Sequence, residues 1–220
     1  YALVAVLVLA GLAFVGGQAA PLRTLFGVIV PSAAIVTFLL GVSYRVILWS
    51  RSPVPFRIPV TCGQQKSLPW IKAGRLESPS STPGVVARMA LEVGLFRSLF
   101  RNTKAELREG PRLVFAENKF LWLAALLFHW SLLIIFLRHL RFFMEPVPAF
   151  VNVVSTVDGF FQIGAPVLYA TDIVVLVALG YLLLRRLRDP QVRYISLFAD
   201  YFPLFLLLGL VISGILMRYF

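Results

Sequence analysis

A helix needs about 20 mostly apolar residues to cross a bilayer, and this chain reaches or approaches that length five times. The stretches are Ala2 to Val15, Leu25 to Trp49, Phe115 to Phe142, Ile163 to Leu187 and Tyr201 to Phe220. Inside hydrocarbon no water is available to pair with backbone N–H and C=O groups, so only helices and closed barrels can span it. Barrel strands alternate apolar and polar residues over about ten positions, whereas these runs are continuously apolar. The expected fold is therefore all-α, a polytopic transmembrane helical bundle with five spans. Composition agrees: 59% of the 220 residues are hydrophobic and only 14% charged. A soluble domain of that size cannot hide so much apolar surface, and disordered chains are polar.

The first stretch lacks the basic leading region of a signal peptide and is read as a span. It opens directly after Tyr1, and the last stretch runs to Phe220, so the expectation is a chain that continues at both ends. The single cysteine, Cys62, excludes an internal disulfide framework and an all-cysteine zinc or iron–sulfur site. No phosphate-binding loop, nucleophile triad or zinc-ligand spacing occurs.

The net charge of +11 has a membrane explanation. Between Arg51 and Arg112 lie 11 basic and 4 acidic residues, and Arg185, Arg186, Arg188 and Arg193 crowd a second turn. With Arg45 and Lys119 these put 17 of the 21 cations on one side, leaving Arg23, Arg138, Arg141 and Arg218 on the other. Positive loops face the cytoplasm, which places the chain in the cytoplasmic (inner) membrane as a multi-pass protein and sets helix 1 running outward, with the rest alternating. A charge that obeys sidedness needs no nucleic-acid partner. Three regions follow: residues 1–49 with spans 1 and 2, residues 50–114 as a basic cytoplasmic segment, and residues 115–220 with spans 3 to 5. In the middle region Pro53, Pro55, Pro59 and Pro69 favour extended backbone. Val85 to Lys104 has helical periodicity, with Met89, Val93, Phe96 and Phe100 on one side and Arg88, Glu92, Arg97 and Arg101 elsewhere. Such an amphipathic helix either lies on anionic lipid or docks a partner.

Both histidines, His129 and His139, lie on the third span. Ten residues correspond to a rise of about 15 Å, which puts His129 near mid-bilayer and His139 near the outer face. Ionisable residues inside a membrane mark functional sites by default. Imidazole is a preferred axial ligand for haem iron, and bundle sites are built from inward-facing side chains, so the pair suits two b-type haems stacked across the membrane. Trp122, Phe128, Trp130, Phe136 and Phe142 are candidate porphyrin walls, and Arg138 and Arg141 candidate partners for propionates. The same residues also fit a plainer reading, with His129 a hydrogen-bonded packing residue and His139 an interfacial one. Bis-histidine ligation of two haems takes four imidazoles, and the sequence holds two.

Among the remaining polar residues, Asp172 fits a proton relay, or equally a pairing with Arg138 or Arg141. Asp200 fits the N-cap of the last helix, with Pro203 in its first turn. Asp158 and Glu145 are expected in a solvated outer loop. Cys62 fits a loop at a subunit contact, and Lys66 to Lys72 a contact with a partner subunit or with anionic lipid.

Several motifs resemble one family. The runs Phe56-Arg57-Ile58-Pro59-Val60-Thr61-Cys62-Gly63-Gln64-Gln65-Lys66-Ser67-Leu68-Pro69-Trp70-Ile71-Lys72 and Phe96-Arg97-Ser98-Leu99-Phe100-Arg101-Asn102-Thr103 resemble the cytoplasmic signature of DsrM-type membrane cytochromes b. So do Phe128-His129-Trp130-Ser131, Arg138-His139-Leu140-Arg141-Phe142-Phe143, Arg193-Tyr194-Ile195-Ser196 and Asp200-Tyr201-Phe202-Pro203-Leu204. These are the membrane subunits of DsrMKJOP complexes of dissimilatory sulfur metabolism, similar in turn to the gamma subunit of respiratory nitrate reductase. The resemblance implies two b haems and exchange of electrons with menaquinone near the outer haem. It implies transfer to a cytoplasmic iron–sulfur subunit related to heterodisulfide reductase (DsrK), which acts on the trisulfide of the carrier DsrC. It further implies that His129 and His139 each supply one axial ligand, and that a sixth helix after Phe220 supplies the other two. Two rival functions from other classes are a haem-free structural anchor and a secondary transporter, the latter favouring broken helices with mid-membrane charge.

Overall fold

The computed structural model describes residues 1–52, 66–100, 104–110 and 112–220. Pro53, Pro55, Pro59, Cys62, Arg101 and most of the first signature run lie outside the described residues. Two compact units are present, one of residues 4–84 and one of residues 85–220 together with 1–3.

The first unit holds α1 (Ala2–Gln18) from Val4 onward and α2 (Val30–Arg51), with a 3-10 turn at Ala20–Leu22 and a π-helical turn at Leu25–Ile29 leading into α2. Pro31 sits at the start of α2, where its missing N–H has no intrahelical partner to lose. No residue of α2 is buried within the protein, and Phe38, Leu40 and Trp49 are among its widely exposed side chains. Apolar surface on that scale belongs against lipid or another apolar partner.

The second unit opens with α3 (Thr82–Leu95) and α4 (Arg97–Phe100), followed by β1 (Lys104–Arg108) and β2 (Arg112–Ala116). The strands pair antiparallel, with Lys104 opposite Ala116 and Arg108 opposite Arg112. Gly110 takes φ +69 in the turn between them, a left-handed conformation open to glycine. The periodic segment expected to stay helical as far as Lys104 thus ends at Phe100, and Lys104 begins a strand.

Then come α5 (Lys119–His139), α6 (Ala149–Asp158), α7 (Ala170–Arg188), α8 (Pro190–Ile195) and α9 (Phe198–Tyr219). Asn118 caps α5 by accepting from the Leu121 amide, and Asp189 caps α8 by accepting from the amides of Gln191 and Val192. The buried residues of α5 are Ala124, Ser131 and Arg138, spaced seven apart and so on one stripe. Small residues at the first two positions let α5 and α7 approach closely. α7 contributes Thr171, Asp172, Val175, Ala178 and Leu179 to the core and packs on both α5 and α9, while α6 packs on α5.

The helical membrane-bundle fold agrees with expectation, but the spans are less uniform. Among the described residues, three helical stretches are long and apolar enough to cross a membrane: Ala20–Arg51, Lys119–Phe142 and Phe198–Tyr219. α1, at 17 residues, rises only about 26 Å. The fourth expected span starts at Ala170 instead of Ile163, because Gly159, Gly164 (φ +83) and Pro166 keep the preceding apolar residues in a loop. α7 also carries Asp172 in its first turn and three arginines in its last. The last helix begins at Phe198, so Asp200 is not the N-cap residue. It reaches back from the first turn, its carboxylate accepting from the Leu197 amide at 2.9 Å, and Pro203 lies inside the helix.

Candidate functional site

His129 and His139 both project from exposed positions on α5. His129 lies five residues after Ala124 and two before Ser131, roughly 150° around the helix from the stripe that α7 covers. The two imidazoles are held alike. Nδ1 of His129 lies 2.7 Å from the Ala125 carbonyl, and Nδ1 of His139 lies 2.7 Å from the Ile135 carbonyl. A carbonyl only accepts, so Nδ1 is the donor in each ring, and in the neutral imidazole this leaves the lone pair on Nε2. That is the tautomer an axial ligand requires, fixed by a backbone hydrogen bond behind it. The donor set therefore fits haem iron. Among the described residues no group of three His, Cys, Asp or Glu side chains could cage a metal.

The surroundings of the two rings differ. The His129 ring meets Phe96 edge-on at 5.0 Å and Phe128 at 4.9 Å. Phe96 stands between α3 and α4 with φ 47. The end of α3 that leads to it is fastened to α5 by two indoles: Trp122 Nε1 donates to the Leu95 carbonyl at 2.6 Å, and Trp130 Nε1 donates to the Gly94 carbonyl at 2.9 Å. Both acceptors are carbonyls that a helix C-terminus leaves without intrahelical partners. The C-terminal end of the amphipathic segment is thus held on the chain's own α5. Val86, Met89 and Val93 remain exposed along α3. On the other side of the Phe96 turn, Glu92 accepts from the Ser98 amide (2.9 Å) and hydroxyl (2.6 Å). The Ser98 hydroxyl, joined by the Ser98 amide and the nearby Arg88 and Arg97, holds the Glu92 carboxyl below its ordinary range against a smaller opposing effect of burial.

His139 has Phe142 at 5.7 Å and, one residue before it, a buried charge cluster. Arg138 is 7% exposed, Asp158 7% and Asp172 8%. Arg138 Nη2 donates to Asp172 Oδ1 at 3.1 Å and to Thr171 Oγ1 at 3.2 Å. Its Nε approaches Asp158 Oδ2 at 3.1 Å, an ion-pair contact too poorly aligned for a hydrogen bond. Asp158 accepts from the Thr171 amide (2.9 Å) and hydroxyl (2.6 Å). The Tyr219 hydroxyl donates to Asp172 Oδ2 at 2.8 Å and accepts from the Tyr169 amide. The Arg138 guanidinium lies 3.7 Å from the Tyr169 ring centroid. The cluster unites the C-terminal end of α5, the C-terminal end of α6, the first turn of α7 and the C-terminal end of α9.

These positions correct two expectations. Asp158 is not solvated; it closes α6 inside the cluster, and the sign in the sequence was a lone carboxylate ending an apolar segment a few turns from two arginines. Arg138 is not free to meet a propionate, because its guanidinium is buried and already opposed by two carboxylates. Asp172 takes up the pairing with Arg138. Thr171 and Tyr219, not singled out from sequence, complete the network. Arg141 stays half-buried, with Nε donating to the Arg138 carbonyl at 3.1 Å and Nη2 bonded to the Ser155 hydroxyl. Glu145 is exposed, as expected.

The profile of the nitrate reductase gamma subunit family matches residues 89–220, a region that includes both histidines and the whole charge cluster. Two curated proteins are similar along most of the chain, each called "Hdr-like menaquinol oxidoreductase cytochrome b-like subunit". The protein from Archaeoglobus fulgidus is 44% identical over 199 residues, 89% of this chain and 59% of its own length. That from Archaeoglobus profundus is 41% identical over 193 residues, 86% of this chain and 57% of its own length. The chain thus spans somewhat under three fifths of the curated relatives it matches. No solved structure matches it.

Proposed function

From a chain that belongs to the nitrate reductase gamma subunit family, we propose a membrane electron-transfer subunit that carries b-type haems on His129 and His139 and exchanges electrons with menaquinone. The observation that carries this reading is the matched pair of imidazoles on α5, each with Nδ1 tied to its own helix and Nε2 left with a lone pair. The relatives' names, a menaquinol oxidoreductase and a cytochrome b-like subunit, support the same class of activity. A bound haem supplies a one-electron iron couple. The chain's residues would hold and surround it: His129 with Phe96, Phe128 and Trp130 as aromatic neighbours, and His139 with Phe142. Arg141 is a cation at the His139 end that would meet an acidic edge of the group.

The finer assignment follows the DsrM-like motifs. The subunit sits in the cytoplasmic membrane with residues 50–114 on the inner face. Its partners there are a heterodisulfide-reductase-like iron–sulfur subunit of the DsrK kind and the other members of a DsrMKJOP-type assembly, which works on the DsrC trisulfide in dissimilatory sulfur metabolism. "Hdr-like" in the relatives' names supports this choice of partner.

The test is haem stoichiometry by pyridine haemochrome on the full polypeptide, produced with ample porphyrin supply. His129→Ala and His139→Ala are each expected to remove one b haem. A colourless wild-type preparation, or unchanged haem content in either variant, would defeat the assignment. Reduction by a menaquinol analogue is expected to fail in His139→Ala, and normal kinetics there would remove the quinone from the outer site.

A further inference from the structure

The buried cluster beside His139 holds more negative than positive charge. Arg138 contributes one cation and Asp158 and Asp172 two carboxylates, all three under a tenth exposed. The nearest other cations are Arg141, half-buried against Ser155, and Arg218, exposed over the Tyr169 ring at 4.3 Å. Solvent screens an exposed charge far more than a buried one. Around His129 the ring contacts are Phe96 and Phe128, and the hydrogen bond runs to the Ala125 carbonyl of its own helix. The two candidate ligand sites therefore differ in local field, though not in ligand.

We infer that Asp158 and Asp172 are redox-tuning residues: their buried charge holds the potential of a haem on His139 below the value its ligand alone would give, and leaves a haem on His129 much less affected. The inference rests on the haem reading above. Reducing ferric haem adds one electron to the site and no other group changes covalently, so an uncompensated anion nearby favours the ferric form. Arg138 and Thr171 fix where the anions sit. Thr171 satisfies both oxygens of Asp158, while Arg138 and Tyr219 satisfy one oxygen each of Asp172, so neither carboxylate needs water to stay in place. A unit charge about 12 Å away in an effective dielectric of about 20 shifts an equilibrium by about tenfold, which for a one-electron couple is about 59 mV.

The experiment is a spectroscopic redox titration of the full chain in its membrane, wild type against Asp158→Asn and Asp172→Asn. Both substitutions keep the shape and a hydrogen-bonding oxygen while removing the charge. The expected result is full haem content in both variants, with one b-haem midpoint raised by up to about tenfold in the ferrous-to-ferric ratio and the other moved much less. The component that moves is the one lost in His139→Ala. Unchanged midpoints in both variants with haem retained would overturn the tuning role and leave the haem reading standing. Equal shifts of both components would also overturn it, as would loss of haem from both variants, which assigns the cluster to holding the fold. Absence of haem from wild type is a different outcome, and defeats the function on which the inference rests.

Discussion

His129 and His139 share a helix, a tautomer and a backbone hydrogen bond of the same length, yet the chain around them is built from different interactions. Near His129 the contacts are aromatic edges and two indole hydrogen bonds that hold α3 against α5. Near His139 they are buried ion pairs that draw α6 and α7 onto the end of α5, joined by a tyrosine hydrogen bond from α9 to Asp172. Contacts of the first kind are individually worth about 1 kcal/mol and can be lost one at a time. Those of the second kind form a network in which removal of one member leaves another charged and buried. The same side chain can thus occupy a pliable setting and a rigid one within about 15 Å.

The sharpest way to break this comparison is Arg138→Ala. It strands two buried carboxylates, and removal of one partner from a buried pair costs about 3–5 kcal/mol. The expected outcome is a large fall in thermal stability in detergent and, if the proposed haems are bound, loss of haem at His139 before haem at His129. Equal loss of both would mean that the cluster supports the whole unit and that the two settings are not separable. Tyr219→Phe is the milder form of the same experiment. It deletes one hydrogen bond to Asp172, with an expected effect on melting of about 1–3 kcal/mol because the acceptor is charged.

Trp130→Phe tests the other side. The ring volume is largely kept, while the bond to the Gly94 carbonyl is lost at a cost of about 1 kcal/mol. Hydrogen exchange is expected to quicken over residues 85–95 and to stay unchanged around Asp172. Exchange that quickens at both ends of α5 would join what the comparison separates.

How much of this was legible in the sequence follows from the range of the forces involved. Apolar runs are local, so the regions of the helices and the pairing of His129 with His139 on one span could be read directly. Hydropathy does not distinguish a helix from an apolar loop, so Ile163 to Tyr169 look like the residues that follow them. The hairpin left a weaker trace: Lys104 to Arg108 alternate in polarity and Gly110 marks a turn, but five-residue strands compete poorly with a charge-rich surface reading. Asp158 was the least legible. Whether a carboxylate at a helix end is solvated depends on which helices fold over it, and Thr171 and Arg138 lie 13 and 20 positions away along the chain. Arg138 shows the reverse error, since its sequence neighbour His139 suggests a cofactor partner while its spatial neighbours are two acids.

The smallest expected effect concerns the Phe96 turn and its pH dependence. Glu92 bonds the amide and hydroxyl of Ser98 across that turn, and its carboxyl is held below the ordinary glutamate value of 4.5, chiefly by the Ser98 hydroxyl. A group whose folded-state pKa is depressed contributes stability above its unfolded pKa and loses it as pH falls through the folded one. The bracket around Phe96 is therefore intact at neutral pH and loosens only below about pH 4.5. Exchange of the Ser98 amide is the local probe. After correction for intrinsic rates its protection should decline on acidification past that point, and Glu92→Gln should remove most of the pH dependence. If protection at Ser98 in the wild type is the same at pH 6 and well below pH 4.5, Glu92 does not hold the turn. The ring set against His129 would then be kept in place by Trp122 and Trp130 alone.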